Sequence, residues 1–354
     1  MKQISSRFTN NSIFAIMAKK NNISLDQVMD NLQKKIYHPV YILHGEEPYY
    51  IDVVSDFIEE NILSDSEKEF NQSVLYGRDV DVPMIISNAK RFPMMAEYQV
   101  LIIKEAQNVD KIEELEEYTK KPVQSTILVL CYKHKKLDQR RAFVKHVKDM
   151  GIIFQSDKLY ENKVPGWISS YLQKKGYTVT PKAGMLLTEY LGSDLGKISN
   201  ELEKIFINVP EGIEINDVII EENIGISKDF NIFELQNALG RKDVFKANQI
   251  CNYFAANTKE HSLIRTLTML YVFFAKLLLY HASEDKSRQG IASLLSVHPY
   301  FVNDFQVAAK NYPYQKIEKV ISDLSDYDLR SKGYGSVSAT QGELLKELVY
   351  KILH

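Results

Sequence analysis

Two positions in this sequence could carry chemistry by residue type and spacing: the turn Gly45-Glu46-Glu47-Pro48 and Lys104. A glycine between a β-rich apolar run, Pro39 to Leu43, and an amphipathic helix is where a phosphate-binding loop would sit. The helix is marked by Ile51, Val54, Phe57, Ile58 and Ile62 at helical spacing. A working loop of that kind needs glycines whose N–H groups wrap phosphates, a lysine to reach them and a Ser/Thr hydroxyl for magnesium. This turn instead offers two carboxylates, which repel a polyphosphate, and a proline, which removes an N–H donor. The strand 99–103 occupies the place where an ATPase carries its magnesium-binding aspartate, yet Lys104 stands at the first polar position, where a cation opposes a metal. Glu46 and Glu47 could in principle form an acid/base pair, but neighbours after a turn diverge, and surface roles are the expectation. The layout is that of a nucleotide site with its chemistry removed.

Other reactive constellations are missing from the sequence. Its eight histidines show no paired helical spacing, Cys131 and Cys251 lie far apart, and no Gly-x-Ser-x-Gly elbow occurs. A non-catalytic protein without metal or cofactor is expected. The two cysteines fall in apolar segments, which suits core positions in a reducing cytoplasm. Residues 1–16 carry two positive charges but no continuous apolar region or cleavage site, so they read as an arm ahead of Met17 rather than a signal peptide. In the most apolar helix, 263–281, Arg265 and Lys276 bracket only ten residues, short of the roughly 20 needed to span a bilayer. A buried core helix is expected there, with no membrane partner.

The elements that must position these residues change character along the chain. Up to about residue 157, strands at 39–43, 72–76, 99–103, 126–132 and 151–155 alternate with helices at 81–91, 110–118 and 138–150. Continuous aliphatic strands separated by helices imply a parallel sheet covered on both faces. Strands then disappear: helices are expected at 164–175, with Trp167, Ile168, Tyr171 and Leu172 inward, and at 181–191, 194–208 and 216–223. Beyond Ser227 the chain reads as all helix, with stops at Gly240, 283–287, 298–299, 312–313 and 332–335. The expected division is 1–36 as an arm and first helix, 37–157 as an α/β domain, 158–227 as a small helical domain and 228–354 as a larger one. At 354 residues with a net charge of -2 and pI near 6.5, the chain has no global pull toward nucleic acid. Residues 228–354 hold 16 basic against 13 acidic side chains, while 161–227 hold 6 against 10. Any DNA contact is expected from the C-terminal domain.

Four segments in one order carry a family resemblance. They are Tyr-Ile-Leu-His-Gly-Glu-Glu-Pro-Tyr-Tyr-Ile at 41–51, Lys-Leu-Asp-Gln-Arg-Arg-Ala-Phe-Val-Lys at 136–145, Leu-Gly-Ser-Asp-Leu-Gly-Lys-Ile-Ser-Asn-Glu-Leu-Glu-Lys-Ile at 191–205, and Leu-Arg-Ser-Lys-Gly at 329–333. Over about Tyr37 to Leu353 the chain resembles the delta subunit of the bacterial DNA polymerase III clamp loader. The resemblance implies an AAA+-like α/β domain without a functional P-loop, a small helical lid and a helical collar that joins a pentameric ring. It implies partners as well: the sliding clamp, ATPase and delta-prime type subunits, and primer-template DNA within the assembly.

It also implies site residues. Members of this family open the clamp by pushing apolar side chains into a pocket on its surface, and the matching stretch here is 87–97, with Phe92, Met94 and Met95 as the insert. Pro93 forces the preceding helix to loosen, leaving these three on an irregular tip. The family commonly has Leu-Phe-like residues where this chain has two methionines, whose flexible thioethers also suit a pocket. In the turn 330–336, Arg330 and Lys332 are matched to phosphates and Tyr334 to an exposed base. The rival expectation is a divergent AAA+ NTPase with an atypical phosphate site.

Overall fold

The computed structural model describes residues 23–335 and 339–354. The expected arm at 1–16 and Ser336 of the C-terminal turn lie outside the described residues. The chain divides into two compact units, one ending at Tyr160 and one comprising Glu161–His354. The separate small and large helical domains expected from the sequence both fall in the second unit.

In the first unit, α1 (Leu25–Gln33), capped reciprocally by Ser24 and Gln27, precedes β1 (Val40–Gly45) and α2 (Pro48–Asn61). Next come α3 (Asp65–Asn71), β2 (Gln72–Tyr76), α4 (Val82–Ala89), β3 (Gln99–Lys104), α5 (Glu116–Thr119), β4 (Thr126–Lys133), α6 (Ala142–Met150) and β5 (Ile152–Ser156). The strands form one parallel sheet in the order β2-β3-β4-β1-β5. Alternation sorts side chains to its two faces. Ile42, Leu101, Ile103, Leu128 and Leu130 pack with residues of α4 and α6, while Tyr41, Leu43, Val100, Ile102 and Val129 pack with α1 and α2. Both faces are buried, which is why these strands read as unbroken aliphatic runs.

Two helices expected in this unit are shorter than their sequences promise. Residues 110–118 form a 3₁₀ turn, Ile112–Leu115, followed by the single turn of α5. The buried apolar residues along this stretch, Val109, Ile112, Leu115 and Tyr118, recur every three positions, the period of a 3₁₀ helix rather than an α-helix. The helix expected from Asp138 starts at Ala142, because the Asp138 carboxylate takes the Arg140 N–H at 2.9 Å and holds a turn.

The second unit begins with α7 (Val164–Lys174), β6 (Thr178–Val179), α8 (Pro181–Leu191), α9 (Leu195–Asn208), β7 (Glu214–Ile215) and α10 (Asp217–Ile224). The parallel pair β6 and β7 corrects the expectation that strands end at residue 157. Of the four side chains expected inward on α7, Ile168 and Leu172 are buried, while Trp167 and Tyr171 are half-buried and stack on each other at 5.1 Å. Then follow α11 (Ile232–Arg241), α12 (Val244–Ala256), α13 (Leu263–Ala282), α14 (Arg288–Leu295), α15 (Val302–Asn311), α16 (Tyr314–Ser331) and α17 (Gln341–Leu353) around one apolar core. α13 is long and apolar enough to cross a membrane by length and composition, and it buries Leu263, Leu267, Leu270, Phe273, Phe274 and Leu277 in that core.

Candidate functional site

The turn after β1 is closed by the protein itself. Gly45 has φ +145°, and a Cβ there would lie 1.9 Å from the Ser156 carbonyl oxygen at the end of β5, so only glycine fits. The Glu47 N–H donates to that carbonyl at 3.3 Å, and the Ser156 hydroxyl donates to the Glu47 carbonyl at 2.7 Å. The Glu47 side chain is buried and accepts the Tyr49 N–H at 3.0 Å as the cap of α2. A helix N-terminus in this position of an α/β sheet is an anion site, and here the anion is an internal carboxylate. Glu46 points to solvent, so the two acids diverge.

The strand ends beside the turn are likewise occupied. Lys104, at the end of β3, reaches α2 and meets Asp56 at 2.8 Å, Glu59 at 3.3 Å and the Ser55 hydroxyl at 3.1 Å. Burial by itself would lower the Lys104 ammonium, but the bond and attraction to Asp56 outweigh it and hold it above its usual value. Lys133, at the end of β4, meets Asp52 of the same helix at 2.5 Å. Two lysines and three carboxylates thus pair with one another where phosphate and magnesium would need unpaired partners. Cys131 is buried beneath, its thiol pushed up to about 12 by burial, which leaves it un-ionised and unreactive. Among the described residues no group of three His, Cys, Asp or Glu is placed to hold a metal.

The stretch 90–98 has the opposite character. α4 stops at Ala89, whose carbonyl is held by the Thr126 hydroxyl at 2.8 Å, while the Gln99 amide holds the Asn88 carbonyl at 2.7 Å. From this fixed root the chain runs through Phe92, Met94 and Met95, which are 80%, 57% and 104% exposed. Met95 adopts φ +54°, in the left-handed region that few non-glycine residues enter. The structure therefore brings the three expected insert residues together on one protruding tip, with none of them filling the core. Sequence reading missed Asn71, the buried last residue of α3, whose side-chain amide bonds to both backbone groups of Met94.

The C-terminal turn gathers Arg330, Lys332 and Tyr334 at the end of α16. Gly333 and Gly335 have φ of +93° and +69°, and Gly333 closes the helix while the Tyr334 N–H bonds back to the Leu329 carbonyl at 3.1 Å. Tyr334 is 70% exposed. Lys332 pairs with Asp328 at 2.6 Å on the surface. Arg330 makes a forked contact with Glu347 of α17 at 3.2 and 3.3 Å and lies 4.6 Å over the Tyr327 ring, so its guanidinium braces two helices.

Known proteins match along both units. The family model of the DNA polymerase III delta subunit matches residues 41–157, and the model for the C-terminal domain of that same protein family matches 229–346, together about two thirds of the chain. The DNA polymerase III subunit delta of Bacillus subtilis is 26% identical over 320 residues, covering 86% of this chain and 91% of that one. A solved structure of the Bacillus subtilis DNA clamp loader delta protein, 23% identical, superposes with a TM-score of 0.50 over 93% of this chain and 99% of its own, a likeness of fold. A Thermotoga maritima RuvB branch migration motor is more distant, 13% identical with a TM-score of 0.35 over 81% of this chain and 85% of its own. With both portions matched in order, and with the nucleotide position filled by internal ion pairs, the chain belongs to the bacterial DNA polymerase III delta subunit family.

Proposed function

We propose that this delta-type protein binds the ring-shaped sliding clamp by inserting Phe92, Met94 and Met95 into a pocket on the clamp and so opens the ring for loading onto primed DNA. As a delta subunit it is a non-catalytic component of clamp loading, and ATP hydrolysis belongs to neighbouring subunits of the ATPase and delta-prime types. The observation that carries the reading is the tip itself: three large apolar side chains held out in solvent on a braced backbone. Burying two methionines contributes roughly 3–6 kcal/mol before ordering costs. The cytoplasm is the compartment this role requires.

Residues 158–227 then serve as the lid and 228–354 as the collar. On α13, Ile264, Tyr271, Val272 and Leu279 form an outward apolar stripe at helical spacing, suited to a neighbouring subunit's helix. Primer-template DNA is met by Tyr334 with Lys332, while Arg330 joins them only by exchanging Glu347 for a phosphate. The rival NTPase reading requires Lys104 and Lys133 to abandon three carboxylates. The deciding experiment is clamp binding by the Met94→Ala, Met95→Ala double variant, measured by surface plasmon resonance against the organism's own clamp. Affinity falls at least about tenfold, with an unchanged helical circular dichroism spectrum; unaltered affinity rejects the assignment.

A further inference from the structure

We infer that Asn71 is a positioning residue for clamp engagement, a latch that fixes the tip in its inserting shape before the clamp arrives. This rests on the assignment of Phe92, Met94 and Met95 as the inserting residues. Asn71 is 3% exposed, and its amide is fully used. One Nδ2 hydrogen serves the Glu67 carbonyl of its own helix at 3.0 Å, the other the Met94 carbonyl at 3.0 Å, and Oδ1 accepts the Met94 N–H at 2.6 Å. Only this orientation of the amide satisfies both Met94 groups, because the reverse sets donor against donor and acceptor against acceptor. The contact spans 23 positions of sequence and joins the tip to α3 in the manner of a single β-bridge.

The consequence lies in what the latch leaves out. Its bonds to the tip are to the Met94 backbone alone. The next residue, Met95, is thereby launched into a left-handed conformation with its side chain wholly in solvent. A loop with no such tie samples many shapes, and a clamp that accepts one of them bears the ordering cost at the moment of binding. With Asn71 in place that ordering belongs to folding. The geometry further divides the labour: Met95 and Phe92 lead the insertion, and Met94, anchored by its backbone and half withdrawn, is the pivot.

The test is a double-mutant cycle on clamp affinity, with limited trypsin digestion of the free protein as an independent measure of tip order. Asn71→Ala in the full chain weakens clamp binding about tenfold, and cleavage after the exposed Lys90 and Arg91 accelerates severalfold while the Tm of the unit changes little. In the Met94→Ala, Met95→Ala background the same substitution costs less than about twofold, because the side chains next to the latched backbone are gone and only Phe92 of the insert remains. If Asn71→Ala folds poorly, Asn71→Ser, which can still bond the Glu67 carbonyl but cannot span both Met94 groups, takes its place in the cycle. Equal losses in both backgrounds, or unchanged affinity and unchanged cleavage, overturn the latch. Loss of binding in the double methionine variant with none in Asn71→Ala overturns the latch alone, whereas full binding by the double methionine variant overturns the tip assignment and the latch with it.

Discussion

Two loops of the same α/β unit treat their side chains in opposite ways. The turn 45–48 and the strand ends beside it are tied up internally: Glu47 caps α2, Ser156 binds both backbone groups of Glu47, and Lys104 and Lys133 pair with Asp52, Asp56 and Glu59. The tip 90–98 is held at its backbone by Asn71 and at its root by Gln99, and it sends Phe92, Met94 and Met95 outward. In the first loop a ligand site has been replaced by self-contact. In the second, the ties from Asn71 and Gln99 hold backbone groups and leave Phe92, Met94 and Met95 exposed. The same sheet therefore carries one loop whose charged side chains are spent on the protein itself and one whose large apolar side chains stand in solvent.

The comparison breaks most sharply at Met95. Met95→Asp places a carboxylate at the most exposed point of the tip, where it costs the folded protein nothing but must be desolvated in an apolar pocket. Clamp affinity is expected to fall about a hundredfold while Tm stays within about a degree; isothermal titration and a melting curve on the same sample check both. Lys104→Ala is the mirror experiment. It leaves Asp56 and Glu59 without their shared cation, and because those acids are partly solvated the loss is about 2 kcal/mol, below that of a fully buried pair. Denaturant unfolding should show that loss while clamp binding at 25 °C is preserved. If Lys104→Ala instead gains magnesium-dependent ATP binding, the closed turn is a masked site and the contrast dissolves.

A smaller effect comes from His44, at the end of β1. Its ring is fully buried, Nδ1 accepts the Leu137 N–H at 3.2 Å, and burial holds its pKa below the usual value despite the attraction of Asp157. A histidine with a depressed folded pKa binds fewer protons folded than unfolded. Its contribution is therefore intact above the unfolded value of about 6.5 and is lost as pH falls below it. Melting at pH 5 should occur a few degrees lower than at pH 7.5, and the gap should narrow in His44→Gln, which keeps an acceptor for Leu137 without a titrating ring. An equal gap in both proteins would assign the acid sensitivity to His38 and His261, whose pKa values burial also lowers.

What could be read from the sequence follows from the range of the forces involved. The strands were legible because burial on two faces leaves aliphatic runs such as Val-Leu-Ile-Ile and Ile-Leu-Val-Leu, and the tip was legible because Pro93 must end a helix. The missing phosphate chemistry was visible for the same local reason. Residues 110–118 misled because acidic, helix-favouring side chains mask a three-residue period. The pair β6 and β7 is too short at two residues each to leave a pattern. The break between α12 and α13 carries no glycine or proline, and only the polar caps Asn257 and Ser262 mark it locally. Asn71 and Ser156 were invisible in principle: their partners lie 23 and 109 positions away, and a polar residue announces no partner until the fold brings it.

The smallest expected effect sharpens the comparison in the second unit. At the end of α16, Arg330 resembles Lys104 in having its charge matched internally, by Glu347, whereas Tyr334 resembles Met95 in standing out on a fixed turn between two glycines of positive φ. If exposure on a braced backbone marks the contact residues, Tyr334→Ala should reduce clamp loading on primed DNA about three- to tenfold and leave clamp binding without DNA unchanged. Arg330→Ala should instead lower Tm, since it removes a forked pair between α16 and α17, and should change the salt dependence of loading little. A loading assay over a salt series separates the two residues. A steep loss of salt dependence in Arg330→Ala would mean that its guanidinium leaves Glu347 for phosphate, and that internal pairing at this turn is a resting state rather than a closure of the kind found at Lys104.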